Sequence, residues 1–252
     1  MKFREIHVWG SVLTVELSST HLPNAKFEPL IDTVEKFAHR VDDLFSTYKE
    51  NSTISQIRSG AMSIDDAEPE VIEVWNACAY AREITEGAFN PWAVAGGFDP
   101  SGYVKGWAAD VMADMCVAGG AQHVMINASG DLTLRGGAYI DGEVGPWKIG
   151  VSNPENPEEV LKVFEIFDGA IATSGTYERG GHIIDPRGGL PAIGAISATV
   201  VGPDGGLADA LATAVVVDGT QSATWIGNEE ISQYKFWAIN RNEASAWSFG
   251  PT

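Results

Sequence analysis

The chain has 252 residues, 44% of them hydrophobic and 20% charged, a composition that excludes a disordered or fibrous protein. Its 16 Lys and Arg stand against 34 Asp and Glu, a formal charge of −18. No basic field is available to neutralise nucleic acid or to dock on an anionic membrane, so a phosphate-bearing ligand has to arrive with a cation.

In chain order, residues 5–17 alternate (Ile6, Val8, Val12, Val15, Leu17) as a half-buried strand does, with Gly10 as a bulge or a point of ligand approach. Residues 24–45 place Phe27, Leu30, Ile31, Val34, Phe37, Val41, Leu44 and Phe45 at spacings of three and four, which predicts an amphipathic helix. A second helix starts near Pro69 between Glu68 and Glu70, and a third runs over residues 101–117. Residues 123–127, 132–134, 147–151, 160–167 and 195–201 are strand-forming runs, and residues 207–217 form a last, small-residue helix. Helix-rich and strand-rich stretches are segregated yet return to one another. The expected class is therefore α+β, a single two-lobed domain of mixed sheets and helices over residues 1–252.

Cys78 and Cys116 lie alone in apolar stretches and read as core thiols, not as a disulfide or a zinc site. The longest uncharged stretches, residues 115–130 and 188–203, are broken by Gly or Pro and too short to span a bilayer. Neither a signal segment nor a lipidation cysteine precedes the first strand, so the expected location is cytoplasmic, or the chain is a trimmed exported form. The P-loop, dinucleotide-fold, hydrolase-elbow and zincin signatures are all missing.

Polar residues gather where glycine does. Such segments are Gly87-Ala88-Phe89-Asn90-Pro91, Asp99-Pro100-Ser101-Gly102 followed by Lys105, Asn127-Ala128-Ser129-Gly130-Asp131, Thr173-Ser174-Gly175, and His182 to Gly189. Each alone is a plain turn; five together, all bearing carboxylate, hydroxyl, amide or imidazole, suggest a ligand site. Asp209 and Thr213, four apart on the last helix, share a face. They are either part of a close-packed helix with Thr213 bonded to its own backbone, or two hard oxygen ligands for Mg²⁺. His182 is either structural or a base, and Lys105 is either a solvated helix residue or a cation of the site.

These segments, in this order from about residue 8 to residue 217, resemble the ApbE family, the FAD:protein FMN transferases. The more specific elements are Ala208-Asp209-Ala210-Leu211-Ala212-Thr213 and Thr173-Ser174-Gly175 with His182-Ile183-Ile184-Asp185-Pro186-Arg187. The resemblance implies a two-lobed α+β fold and Mg²⁺-dependent transfer of FMN from FAD to a Thr or Ser hydroxyl of an acceptor flavoprotein, with release of AMP. Hydrolysis of FAD to FMN and AMP, as by an FAD pyrophosphatase, and non-catalytic flavin binding are the alternatives. By position it makes Asp209, Thr213 and the carbonyl of Gly102 metal ligands and His182 the base. It puts Trp9, Tyr48, Ala88, Phe89, Asn90, Asp99, Lys105 and Ile183 at FAD.

The chain departs from the family pattern in having Asn90 where Asp is common, Ser129-Gly130-Asp131 for Gly-Gly-Asp, no lipoprotein leader, and a short loop from Pro91 to Asp99. Residues 218–224, Asp-Gly-Thr-Gln-Ser-Ala-Thr, resemble the acceptor motif Asp-Gly-x-x-Ser/Gly-Ala-Thr. They read either as a helix-ending turn or as a self-modification site at Thr224.

Overall fold

The N-terminal alternation folds as two strands, not one. In the computed structural model, which describes residues 1–21, 23–176, 183–241 and 245–251, β1 (Lys2–Val8) and β2 (Ser11–Ser18) pair antiparallel. Trp9 and Gly10 form the connecting turn at φ +57° and +65°, a left-handed pair that reverses the chain without breaking the period of two. The expected bulge at Gly10 is thus a hairpin turn.

The helix expected over residues 24–45 is a short 3-10 turn followed by α1 (Phe27–Phe45), which buries Ile31, Val34, Ala38 and Val41 on one face. α2 (Thr53–Ser59) is too short to show periodicity and was not expected; the Ser52 hydroxyl accepts from Ser55 N–H at its start, and Gly60 at φ +74° ends it. α3 (Pro69–Ile84) begins at the proline, as the sequence predicts. α4 (Val104–Ala118) starts three residues later than expected, because Pro100 to Tyr103 form a turn in which the Pro100 carbonyl accepts from Tyr103 and Val104.

There follow β3 (His123–Ala128), β4 (Asp131–Arg135), β5 (Ala138–Ile140), β6 (Glu143–Gly145), β7 (Trp147–Asn153), β8 (Asn156–Ile166), β9 (Gly169–Gly175) and β10 (Ala195–Gly202). The chain continues through α5 (Gly205–Asp218), β11 (Lys235–Asn240) and β12 (Ala246–Phe249). Eight strands make one antiparallel sheet in the order β1-β2-β3-β4-β9-β10-β11-β12, while β5–β6 and β7–β8 are separate hairpins.

Both faces of the sheet are covered, so its central strands bury alternate residues in two cores. On β11, Phe236 and Ala238 join the large core with the helices, whereas Trp237 and Ile239 join a smaller core with Trp147, Val151, Phe164 and Ile166 of the β7–β8 hairpin. The two cores thus share one sheet. α5 lies on β9 and β10 with α4 beside it. Close approach requires small residues at their contact: a Cβ on Gly106 of α4 would stand 2.1 Å from the Gly205 carbonyl oxygen. Cys78 and Cys116 are free and buried, and burial raises both thiols, Cys116 to about 12, so they are inert core groups.

Candidate active site

α5 is wrapped on nearly every side. Thirteen of its fourteen residues are buried, and the exception is Thr213, which faces a cavity of about 280 Å³. Asp209, one turn earlier on the same face, lines that cavity too and is 4% exposed. An apolar helix has no use for a carboxylate in such a place unless something pairs with it. Lys105, from the first turn of α4, lies between two acids. Its ammonium makes a close ion pair with Asp131 at the start of β4 and reaches Asp209 Oδ2 at 3.4 Å.

Two buried carboxylates thus share one ammonium. Burial, and then the charge of Asp131, holds the Asp209 carboxyl well above its ordinary value, against the pull of Lys105. Burial alone would lower the Lys105 ammonium, but the two acids outweigh it and keep the group charged. Beside them Ser174 of β9 and Thr213 share a hydroxyl–hydroxyl hydrogen bond of 3.0 Å. Gly102 abuts this pair, since a Cβ there would lie 3.5 Å from Thr213 Oγ1. Among the described residues, no group of three or more His, Cys, Asp or Glu side chains is placed to hold a metal ion. The hard oxygen groups nearest Lys105 on the cavity wall are the carboxylates of Asp131 and Asp209 and the hydroxyls of Ser174 and Thr213.

The opposite wall is held by its own bonds. Thr85 Oγ1, itself bonded to the Ala81 carbonyl, accepts from Phe89 N–H at 3.1 Å and so fixes the turn bearing Ala88, Phe89 and Asn90 at the cavity. The short loop to Asp99 is stiffened by Trp92 and Phe98 against Trp75, with ring centroids 4.5–5.0 Å apart. Arg58 of α2 clamps it further through the carbonyls of Ala95 and Phe98. Asp99 Oδ1 accepts from Ser101 N–H at 3.0 Å, aligning the turn that carries Gly102. Ile183 completes the lining from the loop that follows β9.

Ala88, Phe89, Asn90, Asp99, Gly102, Lys105, Ile183, Asp209 and Thr213, widely separated in sequence, therefore meet at one cavity. Two other expected residues do not line it. Trp9 sits on the β1–β2 turn with its indole N–H bonded to the Ala38 carbonyl, and Tyr48 is 94% exposed after α1. His182 lies outside the described residues. Ser129, Asp131, Thr173 and Ser174, to which the resemblance gives no role, line the cavity as well. Their signal was the clustering of polar residues in glycine-rich turns.

Residues 218–224 form the end of α5 and a 3-10 helix over Gly219–Thr224. The buried Asp218 carboxylate accepts from Trp225 Nε1 at 2.9 Å and from Arg187 Nη2 at 2.5 Å, and Thr224 Oγ1 donates to Glu86 at 3.0 Å. Among the described residues no helix is long and apolar enough to cross a membrane.

A family model described as ApbE family matches residues 9–96 and 94–235. The chain is 35% identical over 133 residues to a protein of Vibrio cholerae serotype O1 named FAD:protein FMN transferase, a match covering 49% of this chain and 39% of that protein. A Rhodobacter capsulatus protein of the same name is 35% identical over 131 residues, 49% of this chain and 24% of its own length. The matches thus span about half of this chain and under two-fifths of these relatives. In fold the chain is similar to the flavin transferase ApbE from Vibrio cholerae, with TM-score 0.82 at 21% identity over 100% of this chain and 97% of that one. It is similar also to the Pseudomonas stutzeri flavinyl transferase ApbE, with TM-score 0.80 at 21% identity over 98% and 93%. With a family model matched along most of its length and this architecture in common, the chain belongs to the ApbE family.

Proposed function

We propose that residues 1–252 act as one domain that transfers FMN from FAD to a Thr or Ser hydroxyl of an acceptor flavoprotein, releasing AMP, with Mg²⁺ required. The observation that carries this reading is the buried pair of carboxylates sharing one ammonium beside the Ser174–Thr213 hydroxyl pair. The names of the curated relatives, FAD:protein FMN transferase, support it.

The residues present fit a hard divalent cation. Asp209, Thr213 and the Gly102 carbonyl offer carboxylate, hydroxyl and carbonyl oxygens, the set Mg²⁺ prefers, and two carboxylates against one ammonium leave negative charge uncompensated. Mg²⁺ bound there would neutralise the FAD diphosphate and steady AMP as it departs. The remaining work falls to the chain. Lys105, clamped by Asp131, keeps Asp209 aimed into the cavity. Burial and the neighbouring Asp131 raise the Asp209 carboxyl, so a bound cation would favour its charged form. The Thr85-braced turn and the stiffened loop from Pro91 to Asp99 present Phe89, Asn90 and Asp99 to the nucleotide without having to reorganise.

In the transfer, the acceptor hydroxyl oxygen forms a bond to the FMN phosphorus. The P–O bond to AMP breaks with its electron pair on AMP, and the hydroxyl proton passes to a base, which we assign to His182.

The test is incubation with FAD and Mg²⁺, with and without a peptide carrying Asp-Gly-x-x-Ser-Ala-Thr, following AMP and the mass of the peptide. AMP release with a peptide heavier by FMN is expected. Asp209→Ala should abolish it, while His182→Ala should slow transfer and retain FAD binding. Steady AMP release without peptide would replace transfer by hydrolysis, and FAD bound but unchanged would reduce the protein to a flavin binder.

A further inference from the structure

The turn between β3 and β4 is Ser129–Gly130, closed by the pair Ala128 and Asp131, with φ of +63° and +107°. Two positive φ values in a two-residue hairpin turn favour Asn, Asp or Gly at the first position, and a serine there is strained. Ser129 does not offset this by bonding within the chain. The turn is braced by Asn127 Oδ1, which accepts from Gly130 N–H at 2.8 Å, while the Ser129 hydroxyl is buried without a hydrogen-bond partner. Glycine would remove both penalties.

The β1–β2 turn makes the contrast. Trp9 has the same left-handed backbone, but its indole N–H bonds the Ala38 carbonyl, so a contact inside the protein accounts for it. No group among the described residues meets the Ser129 hydroxyl, and Ser129 lines the cavity. Of the three described side chains with an orphaned buried polar atom, Ser129, Trp147 and Ser197, Ser129 alone lines it. The turn leads directly into Asp131, which holds Lys105, so the hydroxyl stands on the wall that carries the ammonium and the oxygen donors. With a cation on the carboxylates, an anionic part of a ligand belongs beside the Lys105 ammonium, and a hydroxyl can donate to its oxygen.

We infer that Ser129 is a binding residue whose hydroxyl donates to a phosphate oxygen of the flavin nucleotide, and that the chain retains the strained turn for this contact. The inference rests on the functional reading above and adds a residue to it.

Dissociation constants for FAD and for riboflavin, which lacks phosphate, are to be measured by flavin fluorescence with Mg²⁺ for the wild type, Ser129→Ala and Ser129→Gly. Melting temperatures are to be taken without ligand. Both variants should bind FAD about tenfold more weakly and treat riboflavin as the wild type does, and the glycine variant should melt above the wild type. Unchanged FAD affinity, an equal loss for riboflavin, or a glycine variant less stable than the wild type would each overturn the inference while leaving the functional reading in place. A wild type that bound no FAD would overturn both.

Discussion

Replacing Gly106 by alanine sets two physical effects against each other, and the structure says which prevails. Within a helix the substitution is favourable by about 1 kcal/mol, because glycine has more backbone freedom to lose. Gly106, however, is where α4 crosses the start of α5. An added Cβ would stand 2.1 Å from the Gly205 carbonyl oxygen, 2.3 Å from its carbon and 2.8 Å from Gly206 N, all well inside the 3.4 Å at which ordinary contact begins. The obstacle is backbone on a buried helix, which cannot rotate aside, so the helices must separate. Overpacking of this kind costs about 3 kcal/mol, leaving a net loss of about 2 kcal/mol. For a chain of this size that lowers the melting temperature by about 4–8 °C. The shift also displaces the neighbouring Lys105 from Asp209, so Mg²⁺-dependent FAD binding should weaken in the same variant. Gly205→Ala is a milder case, its Cβ meeting the Gly106 carbonyl oxygen at 2.9 Å and Asp110 Oδ2 at 3.2 Å. Thermal melts followed by circular dichroism decide the matter. A Gly106→Ala protein as stable as the wild type, or one more stable than Gly205→Ala, would refute the reasoning.

Other consequences can be measured separately. Burial holds the Asp110 carboxyl at about 6, above its ordinary 3.8, although Thr133, the Gly205 N–H and Arg135 draw it down. The folded chain therefore keeps a proton that the unfolded chain releases, and stability from this group falls by about 3 kcal/mol as the pH rises from about 4 to about 6. Urea denaturation across that range should show this decline in the wild type and not in Asp110→Asn; parallel profiles would contradict it. Arg187 ties the loop carrying Ile183 to the buried Asp218, so Arg187→Ala should lower stability by about 2 kcal/mol, discounted because the arginine is half exposed. Denaturant midpoints for this variant and for Arg187→Ala/Asp218→Asn should show the second change restoring part of the loss.

Legibility in the sequence followed chemistry more closely than topology. Asp209 and Thr213 could be placed on one helical face from their spacing, and the alanines around them correctly announced a close-packed helix. β9 was not recognised. Its Ala170, Ala172, Thr173 and Ser174 are small because α5 lies directly on that strand, and small residues carry little strand signal. The run over residues 5–17 concealed a reversal, since a two-residue turn preserves the alternation on either side. Asp131 looked like a turn residue because its role depends on Lys105, 26 positions earlier, and no local pattern records such a pairing. The cavity walls were legible because glycine-rich turns advertise them; the internal support from Thr85, Arg58 and Trp75 was not, since those residues look like ordinary members or ends of helices.

The near-complete enclosure of α5 has a consequence for how the protein can be observed. Its amide hydrogens lie in the central layer, so deuterium reaches them chiefly when the whole molecule opens, and uptake in this segment reports the global opening free energy. A nucleotide that binds only the closed form will slow that uptake in proportion to its occupancy. Mass spectrometry of one peptide from this helix can therefore serve as a titration of the ligand, read from the part of the molecule least able to move.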